Sequence, residues 1–590
     1  MANICATDNT INSTDVFGFN NNGTLFDYIN RQRFVSPGGV GFDGGIVPGT
    51  TVFSPNFQYI TGFLNEMVLP LTRYNVFSQV DYEINPFVEV YGQFLYTQFE
   101  SKTELAPTPS AGGATGVRVP YNNLYVSSEL AAILATRPNP TGTFLLDKRF
   151  NALGPRRSVE TYSVGQMTLG ARGDLGLAED WTYDIYAAYG RVQRDTVQTG
   201  NVSRSALQQL LNSNIAGVSD GGNQFCAGGY DWFGETALSA ACQAFIGRTS
   251  KNKLVYEQRN VEAVIQGPLF ELPAGEVLTA FGASYREDTF DFLADGSLSA
   301  PITVQPTIAP LLTGNDIAGF NPSANLSGET NVAEIFGEVL IPILSDVPAI
   351  QELNVTLAGR SSDYNTVGRV ETYKGDVDWT VVDGLRFRGG YSQAIRAPSV
   401  GELFGPQLLG FPSVGNASAT GNAGDPCDIN SGYRNPANAA RAASVRALCV
   451  AQGVPLAAVD TYTVTNNQVP TITGGNPNLA EETATTWSAG IVVAPQFGGL
   501  FDRLSFSLDY YKIEVEGAIG AIGVGTGLQQ CFNAGATGTT EGTSNPTYTN
   551  TNFFCALIQR NPLNGNITNF PANNQNLGGL FTSGVDFLID

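Results

Sequence analysis

Apolar and polar residues alternate along the stretch from Gly384 to Phe404 until the chain reaches a proline. The two sides of the alternation are Leu385, Phe387 and Tyr391 against Arg386, Arg388 and Ser392. A period of two residues predicts a β-strand whose faces meet different surroundings. Pro398 cannot donate a hydrogen bond to a neighbouring strand, so it marks the place where this strand leaves its sheet.

The same period recurs along most of the chain. We predict further strands at 72–84, 87–100, 159–175, 181–196, 254–266, 277–292, 332–343, 352–364, 367–382, 483–493, 504–515 and 584–589. The strand at 367–382 carries charge on one face only, with Lys374, Asp376 and Asp378 opposite Tyr373, Val377 and Trp379. A charge that faces lipid at mid-depth costs about 2–4 kcal/mol, so the charged face is predicted to line a polar lumen. The apolar face is then predicted to contact lipid.

Short turn signals separate several of these strands, which predicts antiparallel neighbours. One irregularity is expected at Tyr510 and Tyr511, where two adjacent aromatic residues shift the apolar parity as a β-bulge would. The pattern therefore predicts an all-β fold, in the form of a transmembrane antiparallel β-barrel.

Composition supports a membrane barrel. Charged residues make up 14% of the 590 residues, against about 25% in soluble domains, whereas 42% of the residues are hydrophobic. The sequence contains no run of about eighteen apolar residues, which excludes a transmembrane helix but leaves membrane-spanning strands available.

Charge and residue usage also exclude several functions. The net charge is −22, from 31 basic and 53 acidic residues, so nucleic acid is not a predicted partner. The chain contains no histidine, which removes His-dependent catalytic triads and the usual zinc sites. No compact group of Asp and Glu residues suggests catalysis by carboxylates. We therefore predict no enzyme activity, no metal site and no cofactor.

Six of the seven cysteines form local pairs, namely Cys226 with Cys242, Cys427 with Cys449, and Cys531 with Cys555. Each pair lies in a polar, loop-like segment, so we predict disulfides that close long loops in an oxidising compartment. The loops are predicted as insertions at about 197–250, 399–475 and 518–581, with short helices inside them. Cys5 has no predicted partner.

The first of these loops carries three aromatic residues, Tyr230, Trp232 and Phe233. Aromatic side chains on a disulfide-closed loop can stack on a sugar ring or on an aromatic ligand. The alternative is that they pack the loop against itself, which is the commoner role of aromatic residues in compact loops.

Two motifs resemble a known family. The segment GGYSQAIRAPSVGELF resembles the strand and turn found in barrels of TonB-dependent outer-membrane receptors, and GGNPNLAEETATTWSAGI resembles their segment of the form NPxLxPE. The residues that carry the resemblance are Tyr391, Arg396, Ala397, Pro398, Asn476, Pro477, Leu479 and Glu481. The second match is incomplete, because Ala480 stands where the family often has Lys and Glu481 where it often has Pro.

The resemblance implies a 22-stranded barrel in the outer membrane of a Gram-negative bacterium, surrounded by lipid and closed inside by an N-terminal plug domain. A short box before the plug would engage a periplasmic TonB-type energy-transducing protein. Neither plug nor box is found before the first barrel-like strands, no signal peptide is recognisable, and the last strands are missing. We therefore expect a fragment, with residues 72–590 as barrel and residues 1–71 as N-terminal strands and loops.

The resemblance implies energised uptake of a scarce solute such as an iron chelate, cobalamin, an oligosaccharide or a peptide. Arg386, Arg388 and Arg396 are candidates to pair with carboxylates of a plug or with an anionic ligand, and ordinary polar lining of the lumen explains them equally well. Two other functions stay open: a passive porin, which the long loops disfavour, and a secreted β-rich adhesin or glycan-binding protein.

Overall fold

The structure is a computed structural model, and it describes these parts of the chain: 2–5, 16–19, 23, 25–29, 32–34, 68–110, 117–135, 137, 139–144, 148–176, 180–213, 226, 230–234, 237–299, 302–304, 312–314, 316–319, 325–464, 467–495, 504–535 and 540–589.

One large antiparallel sheet, which we call the wall, contains thirteen long strands. They are β1 (Leu71–Asn85), β2 (Val88–Leu105), β3 (Arg156–Asp174), β4 (Thr182–Ser203), β5 (Gly247–Leu272), β6 (Gly275–Leu293), β7 (Leu326–Val347), β8 (Ile350–Tyr364), β9 (Gly368–Val382), β10 (Leu385–Arg396), β11 (Glu482–Val493), β12 (Phe506–Glu516) and β13 (Leu580–Ile589). Each strand pairs with its neighbours in sequence, and the short strand Ile317–Ala318 also pairs with β4. The predicted strands and their antiparallel order are confirmed.

The wall is an open sheet in this structure. Its edges are β1 and β13, which do not pair with each other in the described part of the chain. The all-β fold predicted from the sequence is present as one large antiparallel sheet, which contains thirteen long strands among the described residues, whereas the resemblance implied 22. The described strands Ala2–Cys5, Val16–Phe19, Leu25–Ile29 and Gln32–Phe34 form a separate small sheet, and most of the region 1–71 lies outside the described residues.

The two rims of the wall differ. At one rim, which we call the turn rim, most of the strands are joined by short connections, some of only two residues, such as Pro348 and Ala349, and the longest connection is 494–505. At Gly384 the turn has a φ of +84°, and a Cβ there would lie 2.1 Å from the carbonyl oxygen of Ala494. The opposite rim, the loop rim, carries the long connections 106–155, 204–246, 294–325, 397–481 and 517–579. Barrels of outer membranes show this asymmetry, with short turns on the periplasmic side.

The loops contain short helices and small sheets. The helices are α1 (Ser128–Ala135), α2 (Arg204–Ser213), α3 (Ala240–Ile246), α4 (Gly296–Ser299), α5 (Val400–Phe404), α6 (Ala439–Ala451), α7 (Val524–Cys531) and α8 (Phe553–Ala556), with 3-10 turns at Asn151–Leu153, Gly432–Arg434 and Pro436–Asn438. Small strands pair at Pro109–Ser110 with Lys148–Arg149, Ile302–Val304 with Leu312–Gly314, Ile519–Ala521 with Asn574–Asn576, and among Leu408–Gly410, Thr471–Thr473, Ile567–Pro571 and Gln559–Arg560. Among the described residues, no helix is long and apolar enough to cross a membrane.

Most fully buried side chains lie in the loops and not in the wall. The connections 106–155 and 204–246 share one hydrophobic cluster, the first loop core. The connections 397–481 and 517–579 share another, and we call these two connections together the loop cap. The three predicted disulfides are present: Cys226 with Cys242 in the first loop core, and Cys427 with Cys449 and Cys531 with Cys555 in the loop cap.

The bulge predicted at Tyr510 and Tyr511 is wrong. The pairing of β12 runs without a shift against both β11 and β13. The two tyrosines simply lie on opposite faces, and Tyr511 packs over Gly584, whose missing side chain makes room for the ring. The apolar pattern of the sequence changes parity because Tyr511, an aromatic residue, occupies a position on the polar face. Gly584 on the neighbouring strand leaves room there for its ring.

Candidate functional site at the lumen wall and the loop rim

One face of the wall carries a series of ion pairs. Residues that pair across antiparallel strands share a face, so Asp378 of β9 lies beside Arg388, and Arg386 is on the same face two residue pairs further along. Arg386 donates from Nε to both carboxylate oxygens of Asp378 at 2.8 Å. Further pairs on the same face join Arg172 to Glu89 at 2.7 Å, Arg360 to Glu334 at 3.3 Å and Lys374 to Glu338 at 3.0 Å.

Arg388 forms a bond that spans a whole strand. It donates to Asp509 on β12 from Nε at 2.8 Å and from Nη2 at 2.6 Å, although β11 lies between them. The residue of β11 between them is Gly490, and a Cβ there would lie 1.9 Å from Oδ1 of Asp509. Glycine is therefore required for this two-pronged contact.

The other face carries exposed aromatic residues. Tyr391 packs against Trp487 with ring centroids 4.5 Å apart, and Trp379 stacks on Phe387 at 5.4 Å. The side chain of Trp487 is 53% exposed. Large exposed aromatic side chains in a band suit the interface between bilayer and water. Ion pairs also occur on this aromatic face, between Arg191 and Glu257 and between Arg259 and Glu287, at the level of Tyr189 and on its loop-rim side. Along β9 and β10 the two faces have the characters that the alternation predicted, with charged residues on one and aromatic residues on the other.

The three candidate arginines all bond to carboxylates of the chain itself. Arg386 and Arg388 lie on the ion-paired face, and Arg396 lies at the end of β10 on the loop rim. The geometry agrees with their role as polar lining of the lumen. Contact with a plug or an anionic ligand stays a prediction.

Arg396 joins the wall to the loop cap. It donates to Glu402 from Nη1 at 2.8 Å and from Nη2 at 3.0 Å, and to Glu482 from Nε at 2.5 Å. Glu482 also accepts the backbone N–H of Ile519 at 2.6 Å. This group, which we call the Arg396 node, therefore fixes the first residues of both cap connections to the ends of β10 and β11.

Glu402 has a second role at the start of α5. Ser399 is the N-cap, its hydroxyl accepts the N–H of Glu402 at 3.2 Å, and the Glu402 carboxylate accepts the N–H of Ser399 at 2.8 Å. Burial alone raises the pKa of the Glu402 carboxyl, but hydrogen bonds from Arg396 and Ser399 outweigh burial and hold that pKa below its ordinary value.

The second family motif also fastens the cap. The backbone N–H of Asn476 bonds to the carbonyl of Glu402 at 2.8 Å, and its side chain donates to the carbonyl of Asn574 at 2.9 Å. Asn576 bonds through its side chain to both backbone groups of Ala480 at 2.9 Å. Leu479 is buried. The two family motifs are therefore in contact at Glu402 and Asn476, although about seventy residues separate them in sequence.

A buried ion pair holds the two cap connections together. Arg560 donates to Asp425 from Nη1 at 2.6 Å and from Nη2 at 2.7 Å, and the two side chains are 0% and 3% exposed. Tyr462 donates to the same carboxylate at 3.2 Å. The two connections also share a small sheet, in which Thr471–Thr473 of one pairs in parallel with Ile567–Pro571 of the other. The two connections therefore form one folded unit.

The surface of the loop cap contains a polar cavity of about 300 Å³. Its lining is mostly amide, carboxylate and hydroxyl groups, from Asn416, Asp425, Asp428, Asn430, Thr463 and Asn467. Asp428 is held in place by the N–H groups of Val464 at 2.7 Å and of Asn430 at 2.8 Å. Such a lining offers hydrogen bonds and no aromatic platform to a ligand.

The three loop aromatics lie in the first loop core. Tyr230, Trp232 and Phe233 are 3%, 1% and 3% exposed. Trp232 meets Phe150 and Tyr230 edge-on, each at 5.5 Å between ring centroids. None of the three presents a face to solvent, so this arrangement fits packing within the loop. Ligand stacking stays a prediction that requires the loop to open.

Residues 107–553, about three quarters of the chain, match the family described as TonB dependent receptor-like, beta-barrel. The curated proteins contain no match. The chain is similar to the RagAB peptide importer in its closed-closed state, with 10% identity, 88% of this chain and 44% of that chain covered, and a TM-score of 0.41.

It is also similar to the siderophore receptor PirA from Pseudomonas aeruginosa, with 11% identity, coverage of 88% and 62%, and a TM-score of 0.31. The PirA receptor from Acinetobacter baumannii gives 12% identity, coverage of 89% and 60%, and a TM-score of 0.35. The chain spans between 44% and 62% of the length of these three structures. From the match over residues 107–553, the chain belongs to the family of TonB-dependent-receptor-like β-barrels.

Proposed function

We propose that this chain is the barrel of an outer-membrane receptor that takes up a scarce solute with energy from a periplasmic TonB-type protein. The observation that carries the proposal is the two-faced wall with a folded cap on one rim only. Aromatic side chains on one face suit lipid, and ion pairs on the other suit a polar lumen. Family membership adds the expectation of energised transport and of a plug inside the lumen.

The loop cap favours a receptor over a passive porin. Its two connections, 397–481 and 517–579, fold around a shared core with two disulfides and a buried ion pair. Long connections with structure of their own usually serve binding. We propose that the cap and the lumen side chains, including Arg386, Arg388 and Arg396, are the first surfaces that the solute contacts.

The candidate solutes are an iron chelate, cobalamin, an oligosaccharide and a peptide. A bacterium that lacks the gene would be grown with a ferric catecholate, cobalamin, maltoheptaose or casein peptides as the only source of the respective nutrient. We expect growth on one of these to be lost, and to be lost equally when the energy-transducing protein is removed. Growth that persists without the energy-transducing protein would instead identify a porin.

The adhesin alternative has a separate test. A secreted β-rich protein would be recovered in the soluble fraction, whereas a barrel remains in membranes until detergent is added. We expect the protein produced from its native gene to fractionate with the outer membrane. Recovery as a soluble monomer without detergent would contradict both the receptor and the porin.

A further inference from the structure

Two arginines on the ion-paired face of the wall stand out from the others there. Arg360 is typical of that face, because its guanidinium bonds to a carboxylate of the chain, that of Glu334. Arg73 and Arg194 form neither an ion pair nor a hydrogen bond with the described residues. Their N–H donors are therefore available to a ligand.

The two arginines lie in one row across four strands. The row, which we call the arginine row, consists of Arg73 on β1, Phe99 on β2, Tyr162 on β3 and Arg194 on β4, each the register partner of the next. Register partners share a face of the sheet. Tyr162 and Arg172 are separated by an even number of positions on β3, so the whole row is on the ion-paired face.

The aromatic pair at the centre of the row holds Arg73. The rings of Phe99 and Tyr162 stack with centroids 4.6 Å apart, and Cζ of Arg73 lies 5.7 Å from the centroid of Phe99. A cation–π contact orients a guanidinium without using its N–H donors. The hydroxyl of Tyr162 donates to the Glu160 carboxylate at 3.0 Å. With two arginines and one carboxylate, the row keeps a positive net charge.

Arg194 has the stronger need for an acceptor. Its Nε is buried and has no hydrogen-bond partner among the described residues. Its second register partner, Leu254, packs against the apolar cluster of Phe290 and Phe292. Apolar neighbours keep water from this side of the guanidinium, which strengthens its attraction for an anion. A buried donor without a partner costs free energy, so a ligand that supplies an acceptor is favoured.

The arginine row lies near the mouth of the lumen. On the other face of β4, Tyr189 is followed toward the loop rim by Arg191, which pairs with Glu257. Charged pairs on that face mark the end of the contact with lipid. Arg194 lies still closer to the loop rim than Arg191. A solute that enters from the loop rim therefore passes the arginine row early on its path.

We propose that the arginine row binds carboxylate groups of the solute. The fork of a guanidinium matches the two oxygens of a carboxylate. Three strand spacings of about 4.8 Å separate the Cα atoms of Arg73 and Arg194 by about 14 Å, which suits a solute with two carboxylates. The inference rests on the proposed uptake function, because only a solute that enters the lumen meets the row. It favours peptides and carboxylate-bearing iron chelates over neutral oligosaccharides.

Glutarate and its uncharged counterpart glutaramide test the requirement for charge. Each is added to the protein produced from its native gene and purified in detergent, and binding is measured by calorimetry at low salt, where charge interactions are least screened. We expect glutarate to bind and glutaramide not to bind. Arg194→Gln should weaken the binding of glutarate at least about tenfold, because it removes charge-assisted hydrogen bonds. Arg73→Gln should weaken it as well.

Arg360→Gln is the matched control. Arg360 lies on the same face and over the ring of Phe336 at 4.6 Å, but it is already paired with Glu334. Its replacement should leave the affinity for glutarate unchanged. Without glutarate, Arg194→Gln should unfold at no lower temperature than the parent, because the substitution removes a charge that has no partner.

Three results would overturn the proposal: no binding of glutarate to the parent, equal binding of glutaramide, or equal affinity for glutarate in the parent and in Arg194→Gln. A lower unfolding temperature of Arg194→Gln without glutarate would overturn it too, since it would assign Arg194 to packing. Calorimetry needs neither growth nor the energy-transducing protein, so failure of this site and failure of the uptake proposal give different results.

Discussion

At the scale of single residues, the most deeply buried ion pair among the described residues is the one between Asp425 and Arg560. Both side chains are buried, and removal of either leaves an uncompensated charge inside the loop cap. Loss of one partner of a buried ion pair typically costs about 3–5 kcal/mol. Asp460 differs, because its side chain is 61% exposed where it pairs with Arg446 and Arg434, and pairs in water contribute about 0–1 kcal/mol. Arg434 also donates to the carbonyls of Cys427 and Val459, and these bonds do not depend on Asp460.

Asp425→Asn is therefore expected to destabilise the loop cap by about 3–5 kcal/mol. Asp460→Asn, the matched control on the surface of the same unit, is expected to cost no more than about 1 kcal/mol. The loss of stability in both variants is measured by heating the purified protein in detergent and using protease cleavage within 397–481 to detect unfolding of the loop cap. Equal effects of the two substitutions would contradict the account of the cap.

Glu402 predicts how the Arg396 node responds to pH. Its folded pKa lies below the ordinary value of 4.5, so its contribution to stability is complete above that value and is lost as the pH falls through the folded pKa. We expect the cap to unfold at the same temperature at pH 7 and pH 5.5, and at a lower temperature below pH 4. Glu402→Gln should weaken the cap at pH 7 and reduce the fall below pH 4. An unchanged fall in this variant would assign the pH dependence to other groups.

At the scale of elements, the strands were predictable because the alternation of apolar and polar residues is visible within each strand by itself. The alternation in 367–382 is local, and the structure places Asp378 and Trp379 on opposite faces as expected. The strands also extend beyond their predicted ends, as when β5 begins at Gly247, because strand residues outside lipid need not alternate. The bulge at Tyr510 was wrong because the choice of side chain was mistaken for a change of register.

The faces of the strands predict which tryptophans contact lipid. Trp379 and Trp487 lie on the aromatic face of the wall, whereas Trp232 is buried in the first loop core. In variants that keep a single tryptophan, brominated lipids should quench the fluorescence of Trp379 and Trp487 by contact and leave Trp232 bright. Trp232 serves as the internal control. Quenching of Trp232 with no quenching of Trp487 would reverse the assignment of the faces.

At the scale of the whole molecule, local sequence signals end and long-range pairing begins. The three disulfides were predictable, because the two cysteines of each pair are separated by no more than 24 residues in sequence. The contact between Asp425 and Arg560 spans 135 residues, and no local pattern marks either residue. The union of two connections into one cap, and the meeting of the two family motifs at Glu402, likewise depend on how the strands are arranged in the wall.

The central claim is that this wall crosses the outer membrane with its loop cap outside and its short turns in the periplasm. Cysteines introduced at Leu563 in the cap and at Pro348 on the turn rim, in a Cys5→Ser background, report on both sides. Leu563 is 87% exposed, and Pro348 lies in a two-residue turn. A membrane-impermeant maleimide should label Leu563→Cys on intact cells, and Pro348→Cys only after the outer membrane is breached. Labelling of Pro348→Cys on intact cells, with Leu563→Cys protected, would contradict the account.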